Sequence, residues 1–464
     1  MENRERGSFK GSIGFVLAAA GSAVGLGNIW RFPYLAARDG GGLFLAVYIF
    51  LALTFGFTLL ITEVTIGRKT KQSPLTAYKQ LSKKWRWLGV LSCLVPFLIL
   101  PYYCAIGGWV LKYFVSFALG NSEEAAADGY FTTFITGKYE PVLYMALFLV
   151  ICSIVVFKGV GNGIERSSKI MMPILLVLVI GIAIYSLTIS STNEAGKVVN
   201  GIDGLKVYVI PNFDGVGLKE FFYVVMDALG QLFFSLSVSM GILIAYGSYM
   251  PDKVNLVKSV NQIEFFDTLV AFLAGVMVVP AVYVFMGTDG MATGPSLMFV
   301  SLPKVFNAMG VVGDAVGTVF FAMVFFAAVT SAVSILEAIV SSFIDGFGLT
   351  RRKATIMESV IGLVIGLFVC LGYSVLYFEA KLPNGKTGQL LDIFDYITNN
   401  LFMPVISIAT CILIGWILKP KFIIDEATKN GEKFQRKGLY TVMIRFIAPA
   451  FLIILLLMST GIVK

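Results

Sequence analysis

Residues 21–33 read GSAVGLGNIWRFP and interrupt the first apolar run of the chain, which extends over residues 13–35. Three glycines fall within seven residues of this stretch, and each destabilises a helix by about 1 kcal/mol relative to alanine. Asn28 and Arg31 add polar groups that are costly in a helix facing lipid. Open backbone at membrane depth is tolerated only where it lines a cavity. The stretch therefore predicts a broken membrane helix with a binding site at the break, although its glycines also fit a packing face between straight helices.

The composition identifies a polytopic membrane protein. Of the 464 residues, 57% are hydrophobic and 14% are charged, whereas soluble chains carry about a quarter charged residues. Histidine is absent, which excludes His-based catalysis and the usual zinc and haem sites. The five cysteines lack metal-ligand spacing and are interpreted as small core residues. Eleven apolar segments are long enough to cross a bilayer, at roughly 12–36, 43–66, 88–118, 141–158, 169–189, 221–249, 261–286, 316–345, 355–377, 392–418 and 440–461.

Lysine and arginine separate sharply between the two sides of the predicted membrane. The loops on one side are mixed or acidic. The loops and the N-terminal stretch on the other side are basic, at residues 4–10, 68–86, 158–169, 253–258, 351–353 and 419–437. The positive-inside rule therefore places the N-terminus in the cytoplasm, and the odd number of spans places the C-terminus outside. We expect a multi-pass protein of the plasma membrane, which in a bacterium is the inner membrane.

A second break is predicted in the sixth span, where residues 230–241 read GQLFFSLSVSMG. Ser235, Ser237 and Ser239 interrupt an apolar helix, and serine side chains compete for backbone hydrogen bonds. Serines that bond back to their own helix are the alternative explanation. The position favours a break, because spans one and six would head two five-span halves, of which the second is inverted. Paired broken helices in inverted repeats are typical of sodium-coupled transporters.

The seventh and eighth spans add polar groups inside the predicted bundle. A stripe at helical spacing in the eighth span consists of Thr330, Ser331, Ser334, Glu337, Ser341 and Asp345. The carbonyl of Ala327 shares a face with the first two hydroxyls, so three oxygens can converge on a hard cation. A stripe that only bonds neighbouring helices is the alternative. In the seventh span, the carboxylate of Asp267 needs either a cation or a proton as its partner.

Five further motifs follow the opening stretch in order: DGGGLF (39–44), PYYCAIGGW (101–109), GQLFFSLSVSMGILIAYGSYM (230–250), FFAAVTSAVSILE (325–337) and LDIFDY (391–396). Together they resemble the neurotransmitter:sodium symporter family in its short bacterial form, over essentially the whole chain. The resemblance implies an all-α polytopic membrane protein with a five-plus-five inverted-repeat transporter fold and broken helices 1 and 6. It implies a single transporter domain over residues 1–464, with repeats at about 10–190 and 220–418 and an extra C-terminal span at 440–461.

The resemblance also implies sodium-driven uptake of an amino acid, with two sodium sites. The first site would use Ala23, Asn28, Ser235, Asp267 and the substrate carboxylate. The second site would use Gly21, Val24, Ala327, Thr330 and Ser331. The substrate site would be framed by Ser22, Ala23, Gly25, Leu26, Gly27, Ile99, Tyr103, Phe234, Ser235, Ser237, Met240, Ser331 and Ile335.

The side chains of that implied site predict the substrate class. Tyr103 would hold a carboxylate, and Ile99, Phe234, Met240 and Ile335 would line an apolar pocket for the side chain. Amine-transporting relatives carry an aspartate where this chain has Gly25, so a substrate that brings its own carboxylate fits better. We therefore expect a hydrophobic L-amino acid, aliphatic to aromatic, with another small amino acid as the alternative.

Gates and chloride are also implied by the resemblance. Arg31 and Asp395 resemble an outer gate pair, and Arg6, Tyr249 and Asp345 resemble an inner gate. Animal members have asparagine in place of Asp267 and bind chloride beside it, so here the carboxylate would supply the negative charge and chloride is not expected. Four residues after Asp267, other chloride-independent bacterial members often have an acidic residue, whereas this chain has Ala271.

We weighed three other interpretations of the sequence, namely a proton-coupled carrier, an enzyme and a sensor. A proton-coupled amino-acid carrier of the same fold would use Asp267 or Glu337 as its proton site. An enzyme is not expected, because the chain shows no nucleophile–base pair with recognisable spacing. A sensor that binds an amino acid without transporting it fits the same motifs. The partners expected are a small amino acid, sodium ions and lipid, with neither nucleic acid nor an obligate protein partner.

Overall fold

The structure of the chain is a computed structural model that describes residues 7–192, 196–287, 290–291 and 295–462. Within these residues, nine helices are long and apolar enough to cross a membrane. They are Gly42–Thr70, Lys83–Ala118, Glu140–Phe157, Val160–Thr188, Leu256–Met286, Gly310–Phe347, Arg351–Leu371, Leu390–Ile417 and Lys437–Ser459. The polytopic membrane protein predicted from composition and the all-α fold implied by the family resemblance are confirmed.

The first predicted span is a bent pair of helices, Ser12–Ala23 and Gly27–Arg38, whose axes differ by 55°. The backbone leaves the helix at Val24, where ψ is 93°. The second half begins with one wide π-helical turn over Gly27–Arg31. Such turns leave carbonyls and N–H groups out of the regular ladder. The predicted break in the first span is confirmed, and its pair counts as a tenth candidate span.

The sixth predicted span consists of the helices Leu218–Ser235 and Ile242–Ser248, joined by six residues that are not helical. Ser237 and Ser239 have φ angles of 52° and 64°. These left-handed values are disfavoured for residues with a side chain, by about 1–2 kcal/mol each. The serines therefore do not simply bond back within a continuous helix, and the second predicted break is confirmed.

The remaining elements are short connections. The short helices are Pro74–Leu81, Ser122–Ala126, Tyr130–Ile135, Gly201–Val209, Leu297–Ala308 and Lys421–Ala427. Two antiparallel hairpins pair Ser190–Thr192 with Val198–Asn200 and Ala380–Lys381 with Thr387–Gly388. They lie between spans and leave the membrane region to helices, as unpaired backbone in lipid requires.

Close packing fixes the second half of the sixth span. The helix Ile242–Ser248 packs against Gly42–Thr70. A Cβ added at Gly67 would lie 2.0 Å from the carbonyl oxygen of Ile244. Glycine at this position therefore lets the two backbones approach, and the half-helix is held next to the break that precedes it.

A buried ion pair holds the loops on the basic side of the bundle. Arg68, at the end of Gly42–Thr70, donates through Nε to Glu426 at 2.9 Å and through a second nitrogen to the carbonyl of Val254 at 2.9 Å. Only 1% of Arg68 is exposed. Removing one partner of such a pair typically costs about 3–5 kcal/mol, so the contact fixes the connection between distant spans.

Candidate functional site

The two breaks face one central cavity of about 30 Å³. Its walls come from both broken spans and from the helices Lys83–Ala118 and Gly310–Phe347. All thirteen residues predicted for the substrate site line it, together with Asn28. A water molecule needs about 10–15 Å³ of such space, so the cavity has room for about two. The structure therefore brings the predicted residues together around one small cavity.

One side of the cavity is apolar. Ile99, Met240 and Ile335 line it and are at most 5% exposed, and the ring of Phe234 closes it from the sixth span. None of the fourteen lining residues has a side chain that is charged at neutral pH. A charged side chain placed against this wall would lose its hydration without gaining a partner.

The hydroxyl of Tyr103 is the polar group opposite the first break. It is buried, and no residue in the described part of the chain forms a well-aligned hydrogen bond with it, although the side chain of Ser331 and the backbone of Leu26 lie near it. A Cβ added at Gly25 would lie 3.4 Å from this hydroxyl and 2.9 Å from Oγ of Ser331. A buried phenol hydroxyl is normally hydrogen-bonded, so Tyr103 is placed to bind a polar group that enters beside Gly25.

A carboxylate with three donors lies next to the cavity. Asp267 is fully buried. Its Oδ1 accepts hydrogen bonds from Nδ2 of Asn28 at 2.8 Å and from Oγ of Ser235 at 2.7 Å. Its Oδ2 accepts from the hydroxyl of Tyr48 at 3.3 Å. The amide oxygen of Asn28 accepts in turn from the N–H of Gly25 at 3.2 Å. The side chains predicted for the first sodium site thus form one network.

The second predicted cluster joins the first break to the eighth span. Oγ of Ser331 lies 3.4 Å from the carbonyl oxygen of Gly21, 3.1 Å from that of Ser22 and 3.4 Å from that of Val24. Oγ1 of Thr330 lies 3.1 Å from the carbonyl oxygen of Ala327. These contacts involve two hydroxyl oxygens and four carbonyl oxygens. All of them except the carbonyl of Ser22 belong to the residues predicted for the second sodium site. Sodium is a hard cation that is bound by such hydroxyl and carbonyl oxygens in transporters with unwound helices.

The predicted outer gate residues lie near each other without direct contact. The guanidinium of Arg31 is 6.0 Å from the centre of the Phe234 ring. Asp395 accepts hydrogen bonds from Tyr102 at 3.2 Å and from Asn399 at 2.5 Å. In the part of the chain that the structure describes, no ion pair joins Arg31 to Asp395.

On the opposite side, the structure adds an ion pair to the predicted inner gate. Tyr249 donates to Glu337 at 2.6 Å, and Arg351 donates to the same carboxylate at 2.6 and 2.9 Å. Asp345 accepts from the N–H of Ser73 at 2.7 Å. Arg6 lies outside the described residues. The Glu337–Arg351 pair was not predicted, because the two residues are on different helices with a turn between them.

Three further residues at the breaks were not assigned a role from sequence. Glu63 accepts a hydrogen bond from the N–H of Ser239 at 2.6 Å and so supports the unwound part of the sixth span. Gln231 donates to the carbonyl oxygen of Gly27 at 3.2 Å, and Tyr48 contacts Asp267 as described. Glu63 and Gln231 each carried a signal, since a polar side chain inside an apolar span needs a partner.

Comparison with known proteins agrees with these features. The model of the sodium:neurotransmitter symporter family matches residues 6–122 and 135–464. The uncharacterized sodium-dependent transporter YhdH of Bacillus subtilis is 34% identical over 466 residues, covering 97% of each chain. The human sodium- and chloride-dependent GABA transporter 2 is 25% identical, covering 91% of this chain and 74% of its own. The crystal structure of MhsT in complex with L-phenylalanine has a TM-score of 0.84 at 34% identity, covering 98% of this chain and 100% of the MhsT chain.

Proposed function

This chain belongs to the sodium:neurotransmitter symporter family, and we propose that it imports a hydrophobic L-amino acid together with sodium ions. It is a sodium-dependent membrane transporter and not an enzyme, as its family and relatives establish. The observation that supports the substrate class is the central cavity, which has a free phenol hydroxyl at one end and an uncharged apolar wall at the other. The phenylalanine bound to the similar protein MhsT supports the same assignment.

An amino acid would bind with its carboxylate at the first break. The hydroxyl of Tyr103 would donate to the carboxylate, and the N-terminus of the helix Gly27–Arg38 offers a positive dipole to the same group. The carbonyl ends of the opposing half-helices would accept from the ammonium group. The side chain would then lie between Ile99, Phe234 and Ile335, and flexible Met240 would adjust to its size.

We assign sodium to the two oxygen clusters. The network of Asn28, Ser235 and Asp267, together with the carbonyl of Ala23 and the substrate carboxylate, would bind the first ion. Gly21, Val24, Ala327, Thr330 and Ser331 would bind the second. Because the first ion shares a ligand with the substrate, the binding of each would strengthen the binding of the other, which is the thermodynamic basis of symport.

Transport would proceed by alternating access around this fixed site. Arg31 and Asp395 would close the outer side, and Tyr249, Asp345 and Arg6 the inner side. Repeats at about 10–190 and 220–418 would move against each other within one domain, with the span at 440–461 outside them. The basic loops would lie in the cytoplasm and the C-terminus outside, in the plasma membrane of a bacterial cell.

A competition experiment tests the substrate class. The purified protein is loaded with a radiolabelled hydrophobic amino acid in sodium chloride, and each of the twenty L-amino acids is added as a competitor. We expect leucine and the larger aliphatic and aromatic residues to displace the label, and glutamate and lysine to leave it bound, because a buried unpaired charge is strongly disfavoured. Displacement by glutamate or lysine at the same concentration as leucine would contradict the assignment.

Replacing Gly25 with alanine should weaken substrate binding about 10- to 100-fold, because the new Cβ would crowd Ser331 and an overpacked site typically loses about 1–3 kcal/mol. Gly181→Ala is the matched control, since a Cβ there has no neighbour within 4 Å. Equilibrium binding of the labelled amino acid in saturating sodium measures the effect. Equal affinity of the two variants would place the substrate away from the first break.

A proton-coupled carrier is the second candidate, and the structure weighs against one of its proton sites. Glu337 is paired with Arg351 through two hydrogen bonds, an arrangement typical of a structural ion pair. Uptake into proteoliposomes separates the candidates: a sodium gradient at constant pH should drive accumulation, and a pH gradient without sodium should not. Counterflow of labelled substrate in the same vesicles distinguishes a carrier from a non-transporting sensor.

A further inference from the structure

An apolar groove of about 360 Å³ lies on the outer surface of the bundle, away from the central cavity. It runs between the helices Glu140–Phe157 and Arg351–Leu371. Its walls include exposed aliphatic side chains such as Val150, Ile154 and Val360, and no Asp or Glu lines it. The hydroxyls of Ser153 and Ser359 bond to each other at 2.7 Å, so they present no unsatisfied polar group to an apolar occupant.

One end of this groove carries positive charge. Lys158 lines the groove directly after the end of its first helix, and the guanidinium of Arg352 lies 5.6 Å from the centre of the ring of Phe157, which also lines it. Both cations are exposed, and within the described ranges neither forms an ion pair. Arg351, by contrast, is paired with Glu337. Two exposed cations at the helix ends therefore adjoin one end of the apolar groove.

We propose that this groove is a binding site for an anionic phospholipid. An acyl chain would occupy the groove, and the phosphate would be bound by Lys158 and Arg352. Basic residues at the edge of a span attract anionic headgroups, and the planar guanidinium matches the geometry of a phosphate. The groove and the two cations are adjacent, so one lipid molecule can contact all of them.

Charge disfavours a second copy of the chain as the occupant. In a two-fold dimer the basic ends of both grooves would face each other on the same side of the membrane. A zwitterionic lipid would fill the groove but would add a cationic group beside Lys158 and Arg352.

Native mass spectrometry of the purified full-length protein tests the site. The protein is titrated with phosphatidylglycerol or phosphatidylcholine carrying identical acyl chains. We expect the first phosphatidylglycerol to bind about 30-fold more tightly than phosphatidylcholine, because each nearby cation contributes to anionic lipid binding. The variant Lys158→Gln/Arg352→Gln should bind both lipids equally. Lys83→Gln/Lys84→Gln, which removes two exposed cations from the same side of the bundle, is the matched control and should retain the preference.

A groove-filling variant separates the chain from the headgroup. Ala146→Phe places a ring inside the groove and should weaken both lipids while the preference for phosphatidylglycerol persists. Equal binding of the two lipids by the unmodified protein would overturn the proposal. Loss of the preference in the Lys83→Gln/Lys84→Gln control would also overturn it, as would a dimer whose formation excludes the lipid.

Discussion

Replacing Thr330 and Ser331 together with alanine is expected to lower the sodium affinity by more than about 100-fold. Loss of a residue that only supports a metal ligand typically lowers the affinity about 10- to 100-fold, and here two ligands themselves are lost. The double change removes two hydroxyl oxygens that lie with the carbonyls of Gly21 and Ala327 at the junction of the first break and the eighth span. Without them, too few oxygens remain to replace the hydration shell of the ion. Sodium titration of the binding of a labelled hydrophobic amino acid measures the loss.

The protein should still fold, because both changes are small and the Oγ of each residue mainly contacts backbone carbonyls. Ser341→Ala/Ser342→Ala is the matched control, since these hydroxyls also bond to a carbonyl of their own helix, that of Ala338, in a buried part of it. Its sodium titration should be unchanged. An unchanged titration in the Thr330→Ala/Ser331→Ala variant would remove this pair from the sodium site.

Replacing Asp267 with asparagine should weaken sodium binding by about 3 kcal/mol, or more than a hundredfold, when gluconate is the anion. Two sodium ions and a zwitterion leave a double positive charge in a poorly solvated space. Two unit charges 4 Å apart interact by about 4 kcal/mol even at an effective dielectric of 20, so a compensating anion is strongly favoured. Asp267, which accepts three hydrogen bonds at the first cluster, would be that anion. Chloride should partly restore sodium binding in the variant, whereas transport by the unmodified protein should be equal in chloride and gluconate.

Ser235→Ala separates the charge from the hydrogen bond. It removes one donor to Asp267 and one predicted sodium ligand but keeps the carboxylate. Its sodium affinity should fall without becoming sensitive to chloride. Chloride-dependent transport by the unmodified protein, or normal sodium affinity of the Asp267→Asn variant in gluconate, would refute the role of Asp267. The chloride dependence in the name of the human relative makes this comparison informative within the family.

The two breaks could be predicted from sequence because their cause is local. Glycines in the first span and serines in the sixth favour backbone that leaves the helix, and the structure breaks both spans at those residues. The convergence of the predicted substrate residues on one cavity followed from the family motifs. Spacing alone could not supply it, since Ile99 and Ile335 are far apart in the chain.

Other features depend on how distant helices pack, and no local pattern encodes them. Arg351 reaches Glu337 across a helix end and a turn, so neither residue identified the other. The distance between Arg31 and Asp395 depends on the conformation of the bundle. The small size of the cavity is equally a property of packing, because its walls come from four spans that are distant in the chain.

The small size of the cavity has a consequence for kinetics. A space with room for about two water molecules cannot receive leucine or phenylalanine, so the walls must separate before the proposed substrate arrives. Only the fraction of molecules that is open at any moment can bind it, and the apparent dissociation constant exceeds the intrinsic one by the inverse of that fraction. An increase in the open population by sodium would therefore raise substrate affinity without any new contact to the substrate. Part of the coupling would then lie in the equilibrium between closed and open molecules, and not only in the ligand that ion and substrate share.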